Sequence, residues 1–132
     1  MKAGKSSLEL AEQMEDRFLN FAARICAVAE ALPDSKTGRH ISGQLIRCGT
    51  SPAPNYAEAC AAESRADFTH KLGIVLKELR ETRIWLKLVV KTRSMKSSRL
   101  DPLIDECSEL MNIAGASIVT AKANAPAKRT RR

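Results

Sequence analysis

The stretch from Ala61 to Lys91, AAESRADFTHKLGIVLKELRETRIWLKLVVK, constrains the fold more than any other part of the chain. No proline interrupts it, and its one glycine, Gly73, costs a helix only about 1 kcal/mol against alanine. Ser64 is placed to cap it, because a serine hydroxyl oxygen accepts from a free N–H of the first turn. Asp67 suits the positive end of the helix dipole. At the helical repeat, Phe68, Leu72, Val75, Leu79, Leu86 and Val90 share one face, which reads as a core stripe. A second line, Ile74, Glu78, Glu81, Trp85 and Leu88, repeats at spacings of 4, 3, 4 and 3 and points elsewhere. A third face carries Lys77, Arg80, Lys87 and Lys91. Such a helix needs other helices to cover its apolar side and offers its remaining faces to partners.

With 132 residues the chain is long enough for one domain with a real core. Aromatic residues make up only 4% of it, while Ala, Leu, Glu, Lys and Arg abound, which suits helices packed on helices. No apolar run approaches the roughly 20 residues of a membrane span. The start, MKAGKSSLELAEQME, carries no apolar signal core, so a cytoplasmic protein is expected. Cys26, Cys48, Cys60 and Cys107 form neither a CxxC nor a zinc spacing. Among apolar and small neighbours they read as buried, reduced thiols.

The net charge of +7 is unevenly placed. Residues 8–121 hold 15 basic and 15 acidic groups, so the excess comes from Lys2, Lys5, Lys122, Lys128, Arg129, Arg131 and Arg132 near the two ends. Basic ends attract nucleic acid or anionic surfaces, or simply solubilise the chain.

A first helix is predicted from about Leu8 to Leu32, with Met14, Phe18, Phe21, Ile25, Val28 and Leu32 as a narrow seam. Its outer positions, Glu9, Glu12, Glu15 and Asp16, are acidic. Pro33 stops it, and the short link implies an antiparallel return. A second helix opens near Lys36 with Ile41, Leu45 and Cys48 facing inward. Pro52 and Pro54 predict a kink or break, with helix resuming through Asn55–Cys60. The third helix is the one already described. After a polar linker, Thr92–Arg99, a fourth opens with Asp101 as cap and Pro102 at its first position. Its buried side is Leu103, Cys107, Leu110, Ala114 and Ile118. Residues 1–7 are expected to be flexible, 8–123 to form the domain and 124–132 to be a disordered basic tail. The architecture expected is all-α: an antiparallel up-and-down four-helix bundle.

Little in the sequence points to catalysis. A di-iron bundle needs Glu-x-x-His on two helices, and only Asp67-Phe68-Thr69-His70 is similar. His40 and His70 are the only histidines, and no phosphate-cradling glycine loop follows a strand. No metal, no cofactor and no enzymatic activity are expected. Arg47, Asn55, Glu58, Glu78 and Glu81 are polar positions with apolar neighbours. A buried charge is costly unless paired, so Arg47 is expected to meet one of these glutamates in an interior structural cluster with Asn55 and Glu58. The basic third helix and the acidic first and fourth helices are expected to satisfy one another across the bundle. Ile74, Trp85 and Leu88 would leave an apolar patch beside the core stripe, and such patches mark interfaces. Glu78 and Glu81 lie in the same line and could pair with a neighbouring subunit. The alternative is that the first or fourth helix wraps around to cover this side.

Several stretches resemble the bacterial four helix bundle protein family, which includes proteins encoded by intervening sequences in 23S ribosomal RNA genes. They are Phe21-Ala22-Ala23-Arg24-Ile25, Gln44-Leu45-Ile46-Arg47, Gly49-Thr50-Ser51, Asn55-Tyr56-Ala57-Glu58-Ala59 and, longest, Ala62 to Leu88. The resemblance implies an up-and-down bundle assembled as a homopentamer, with no catalytic residues. It is more distantly similar to the accessory variability protein of diversity-generating retroelements, which engages RNA and a reverse transcriptase. The family usually has a helical Ile/Val-Gly-Ala where this chain has Pro52-Ala53-Pro54. The function expected is a non-enzymatic oligomeric scaffold for RNA or nucleoprotein. Its nucleic-acid face would be Lys77, Arg80, Lys87 and Lys91, with Lys128, Arg129, Arg131 and Arg132 from the tail. Its oligomer interface would be Ile74, Glu78, Glu81, Trp85 and Leu88. The competing expectation is a protein-interaction or structural oligomer with no nucleic-acid role. No membrane association is expected.

Overall fold

A computed structural model describes residues 4 and 6–124. Among them are five helical segments and no strand: α1 (Ser7–Ala31), α2 (Lys36–Thr50), α3 (Pro52–Cys60), α4 (Arg65–Lys91) and α5 (Ser97–Ala123). α1 starts one residue before the expected Leu8 because Ser6 and Glu9 form a reciprocal capping box. Pro33 follows the C-cap Leu32 as expected. Ser64 caps α4 and accepts from Asp67 N–H at 3.0 Å.

α2 and α3 act as one bent rod. Ser51 between them keeps helical dihedrals (φ −67°, ψ −37°). The break costs α2 two carbonyl partners, because Pro52 and Pro54 have no N–H to donate one turn back. It costs α3 nothing, since the first N–H groups of any helix are unpaired within it. Helix therefore resumes at Pro52, not at Asn55 as the sequence suggested. Asn55 Nδ2 donates to both Ser51 O and Ser51 Oγ at 3.0 Å, which steadies the joint.

The four rods pack in the order α1, α2–α3, α4, α5, with α5 closing back on α1. α1 and α4 are not neighbours, and neither are α2 and α5, so each pair lies across a diagonal. Between them sits one core that includes Phe18, Phe21, Ile25, Ile41, Leu45, Val75, Leu79, Leu86, Leu100 and Leu110. Met14, Val28 and Leu32 of the expected α1 seam pack against its edge, and Ala29 joins the centre.

Three expectations about the core change. In α4, Val89 and Thr82 are fully buried, while Phe68 and Val90 are half-buried at the rim. Thr82 escaped notice because it is polar, but its hydroxyl donates to Glu78 O at 2.7 Å and so enters the core satisfied. Ile118 of α5 is half-buried for the same edge reason as Phe68. α5 starts at Ser97, not at Asp101, so Pro102 lies inside the helix. Buried Met95 and Leu100 anchor that extra turn on the core, and the packing outweighs one missing backbone hydrogen bond.

The turn from α4 into α5 is tight. Ser94 N–H reaches Val89 O at 3.1 Å and Arg93 N–H reaches Val90 O at 3.0 Å, the paired bonds of a Schellman closure. Arg93 occupies the position that glycine prefers there, with φ 56°.

Candidate functional site

Charge is sorted by face. On α4 the outward residues Lys77, Arg80, Ile84, Lys87, Leu88 and Lys91 are all exposed. On the adjoining α2, Lys36, Arg39 and Arg47 recur at helical spacing and are exposed too. Across the diagonal from α4, α1 exposes Glu9, Glu12, Glu15 and Asp16. Its neighbour α5 exposes Asp101, Asp105 and Glu109. One half of the bundle wall is thus mostly cationic and the other half mostly anionic, with Arg24 of α1 and Arg99 and Lys122 of α5 as exposed cations on the anionic half. The basic third helix of the sequence reading and its acidic first and fourth helices do not neutralise one another through the bundle. Their charged faces point outward on separate sides, because their inward faces are taken by the core.

The cations on the outward face of α4 are unencumbered. Among the described residues, Lys77, Arg80, Lys87 and Lys91 enter no ion pair. The other part of the expected nucleic-acid set, Lys128, Arg129, Arg131 and Arg132, lies outside the described residues. Sequence reasoning passed over Lys36 and Arg39, although their spacing from Arg47 along α2 already placed them on one face.

The Arg47 cluster is not interior. Half of the Arg47 side chain is exposed, at 51%. It ion-pairs with Glu81 and, at 3.4 Å, with Glu78, and it donates to Gln44 Oε1. The Glu81 hydrogen bond is the main influence raising the Arg47 pKa above its ordinary value. Asn55 and Glu58 take no part in this cluster. Asn55 serves the α2–α3 joint, and Glu58 pairs with Lys71 at 2.7 Å, because at about 1.5 Å of rise per residue both lie two to three turns further along the rod than Arg47. The pair deeper in the wall is one that sequence reasoning missed, Arg17 with Glu106 at 2.7 Å. Glu106 is held below the usual carboxylate range, first of all by the Arg17 hydrogen bond.

The second line of α4, the expected oligomer interface, is partly engaged within its own chain. Glu78 and Glu81 are engaged by Arg47 of the same chain. Trp85 stands edge-on to His40 of α2, with centroids 5.7 Å apart and planes at 74°, and its Nε1 lies 3.5 Å from Glu81 Oε1. Ile74 and Trp85 are half-buried and only Leu88 of the five is exposed. The covering element is α2, where the sequence reading weighed the first and fourth helices.

The cysteines divide. Cys48 and Cys107 are buried, and burial raises both thiols, Cys107 to about 12. Cys26 is half-buried and Cys60 is exposed at the end of α3, so the expectation of four buried thiols holds for two. Among the described residues no group of three or more His, Cys, Asp or Glu side chains is placed to hold a metal ion. No described helix is long and apolar enough to cross a membrane.

The family model of the 23S rRNA-intervening sequence proteins matches residues 9–116, from the capping box of α1 to the last third of α5. The chain belongs to this family. The bundle is also similar to a crystal structure from Bacteroides thetaiotaomicron, described as a protein of unknown function from the S23 ribosomal protein family. The two are 35% identical with a TM-score of 0.74, over 79% of this chain and 96% of the other. No curated protein matches the chain. In family terms, the matched region contains every cation of the α2 and α4 face and both acidic walls, so the sorted charge belongs to the family domain and not to the tails.

Proposed function

We propose that this 23S rRNA-intervening sequence protein is a non-enzymatic helical scaffold that binds RNA or nucleoprotein through the cationic face of α2 and α4. The observation that supports this reading is the sorting of charge. Seven exposed cations, Lys36, Arg39, Arg47, Lys77, Arg80, Lys87 and Lys91, sit on two adjoining rods, and most carry no competing carboxylate. Such a face neutralises phosphates with little dependence on base sequence and gains from counterion release. The carboxylates away from that face, Glu9, Glu12, Glu15 and Asp16 of α1 with Asp105 and Glu109 of α5, repel the same backbone, so the protein meets nucleic acid in one orientation.

The family description and the resemblance to retroelement accessory proteins make a structured ribosomal or retroelement RNA the natural ligand, with a reverse transcriptase as a candidate protein partner. Assembly as a homopentamer would present five such faces and raise avidity without any new contact. Retention of a structured RNA on a filter at low salt tests the reading. The expected result is saturable retention that charge reversal at Lys77 and Arg80 removes. No retention by an intact, folded oligomer would overturn it.

A protein-interaction or structural oligomer with no nucleic-acid role is the second reading. It is favoured by Ile84, 61% exposed, and Leu88 standing among the lysines of α4. Ile84→Glu decides between them: a fall in mass by light scattering with RNA retention unchanged supports an interface, and the opposite pattern supports the RNA face.

A further inference from the structure

The cationic face is not flat where α4 meets α5. An open-sided notch of about 260 Å³ lies there, lined by Arg83, Lys87, Val90, Lys91, Asp101 and Ile104. We propose that this notch receives one unpaired nucleotide with a guanine base; the inference rests on the RNA-binding reading above and names the part of the ligand recognised at this point.

Each wall has a chemistry that fits. Val90 and Ile104 are half-buried and give an apolar floor on which a base plane can lie. Arg83, Lys87 and Lys91 follow one another at intervals of four residues, so about 6 Å separates each cation from the next along the seam. They form a row suited to successive phosphates. Arg83 is held in place by its Nε–H, which donates to Ser108 Oγ at 3.0 Å, and its terminal nitrogens enter no ion pair among the described residues. Asp101 is exposed at the mouth and also unpaired among the described residues. It opens the second turn of α5.

An ionised carboxylate only accepts hydrogen bonds. Of the four RNA bases, guanine offers two adjacent donors, N1–H and N2–H, on its pairing edge, and these match two carboxylate oxygens as a fork. Adenine and cytosine offer one amino group beside an acceptor, and uracil one N–H between acceptors, so each sets a lone pair against Asp101. Because the pairing edge must be free, the ligand is an unpaired base, the kind of RNA feature proteins most often read. The volume is below the roughly 300–1,000 Å³ of pockets that enclose whole drug-sized ligands, in keeping with one base and not a longer segment.

Titration of the full chain with GMP, AMP, CMP and UMP, followed by backbone amide shifts, tests this. GMP is expected to bind saturably, with shifts confined to the α4–α5 seam, and about tenfold or more tighter than the other three, the discrimination one forked pair supplies. Asp101→Asn should bring GMP down to the level of the others, while Lys87→Gln weakens all four alike. Equal affinity for the four nucleotides, no binding, or shifts elsewhere would overturn the assignment. Filter retention of structured RNA on the same preparation separates the two ideas. Retention without GMP preference removes the notch alone, and GMP preference without retention removes the RNA reading alone.

Discussion

Arg17 of α1 and Glu106 of α5 form a two-point ion pair, Nε to Oε2 at 2.9 Å and Nη2 to Oε1 at 2.7 Å. The same Nη2 reaches Glu109 at 2.7 Å. The pair spans the seam where the two rods approach each other least closely. Arg17→Ala is expected to lower stability by about 1–2 kcal/mol, the worth of a charged, partly solvated hydrogen-bond pair. Thermal melts check it, with circular dichroism to show that helix content is kept.

The same pair sets an acid response. Glu106 titrates below its ordinary value of 4.5 in the folded protein, first because Arg17 hydrogen-bonds its charged form. Just below that value the unfolded chain therefore holds more protons at this site than the folded one, so stability rises with pH there. The contribution is complete above the ordinary value and is lost as pH falls through the folded one. Glu106→Gln should flatten the fall in stability on acidification in that window. Urea melts at a series of pH values would show it, and an unchanged slope would mean that Glu106 is not held by Arg17.

Two glycines should respond in opposite directions to the same change. At Gly49 a Cβ would lie 2.5 Å from Ile25 Cγ2, which is fully buried. Gly49→Ala is expected to cost about 1–3 kcal/mol through overpacking. At Gly73 a Cβ would meet nothing within 4 Å. Gly73→Ala in mid-helix is expected to add up to about 1 kcal/mol. Paired chemical denaturation of the two variants checks both signs.

Arg47→Ala tests where that side chain stands. The sequence reading made it an interior charge whose loss is severe. With half of Arg47 in water, its removal should change the melting temperature little and weaken RNA retention instead. A sharp loss of stability would place the cluster back in the interior.

These residues also show what the chain discloses before it folds. The helices were legible because Ser64, Pro33 and the spacing of apolar residues act locally, within a turn or two. Thr82 and the start of α5 were not, since each depends on what packs above it: a hydroxyl satisfied by its own helix, and Leu100 seated in the core. Arg47 was read as buried because its chain neighbours are apolar, yet its burial is set by how α2 lies on α4. Arg17 was overlooked for the converse reason, as its partner is 89 positions away. The cations of α4 were visible as a helical face. Their joining with Lys36 and Arg39, and the anionic wall opposite, required the order of the rods.

The salt dependence of RNA retention tests the cationic face most directly. Log affinity against log salt should fall with a slope of about −3 or steeper for the wild type, the value for four phosphate contacts or more. Removing residues 127–132 should make it shallower. Reversing Lys77, Arg80, Lys87 and Lys91 to Glu should abolish retention, whereas Glu9, Glu12 and Asp16 to Lys on the opposite wall should not weaken it. Retention and slope left unchanged by reversal of the four α4 cations would contradict the proposal that this face holds RNA.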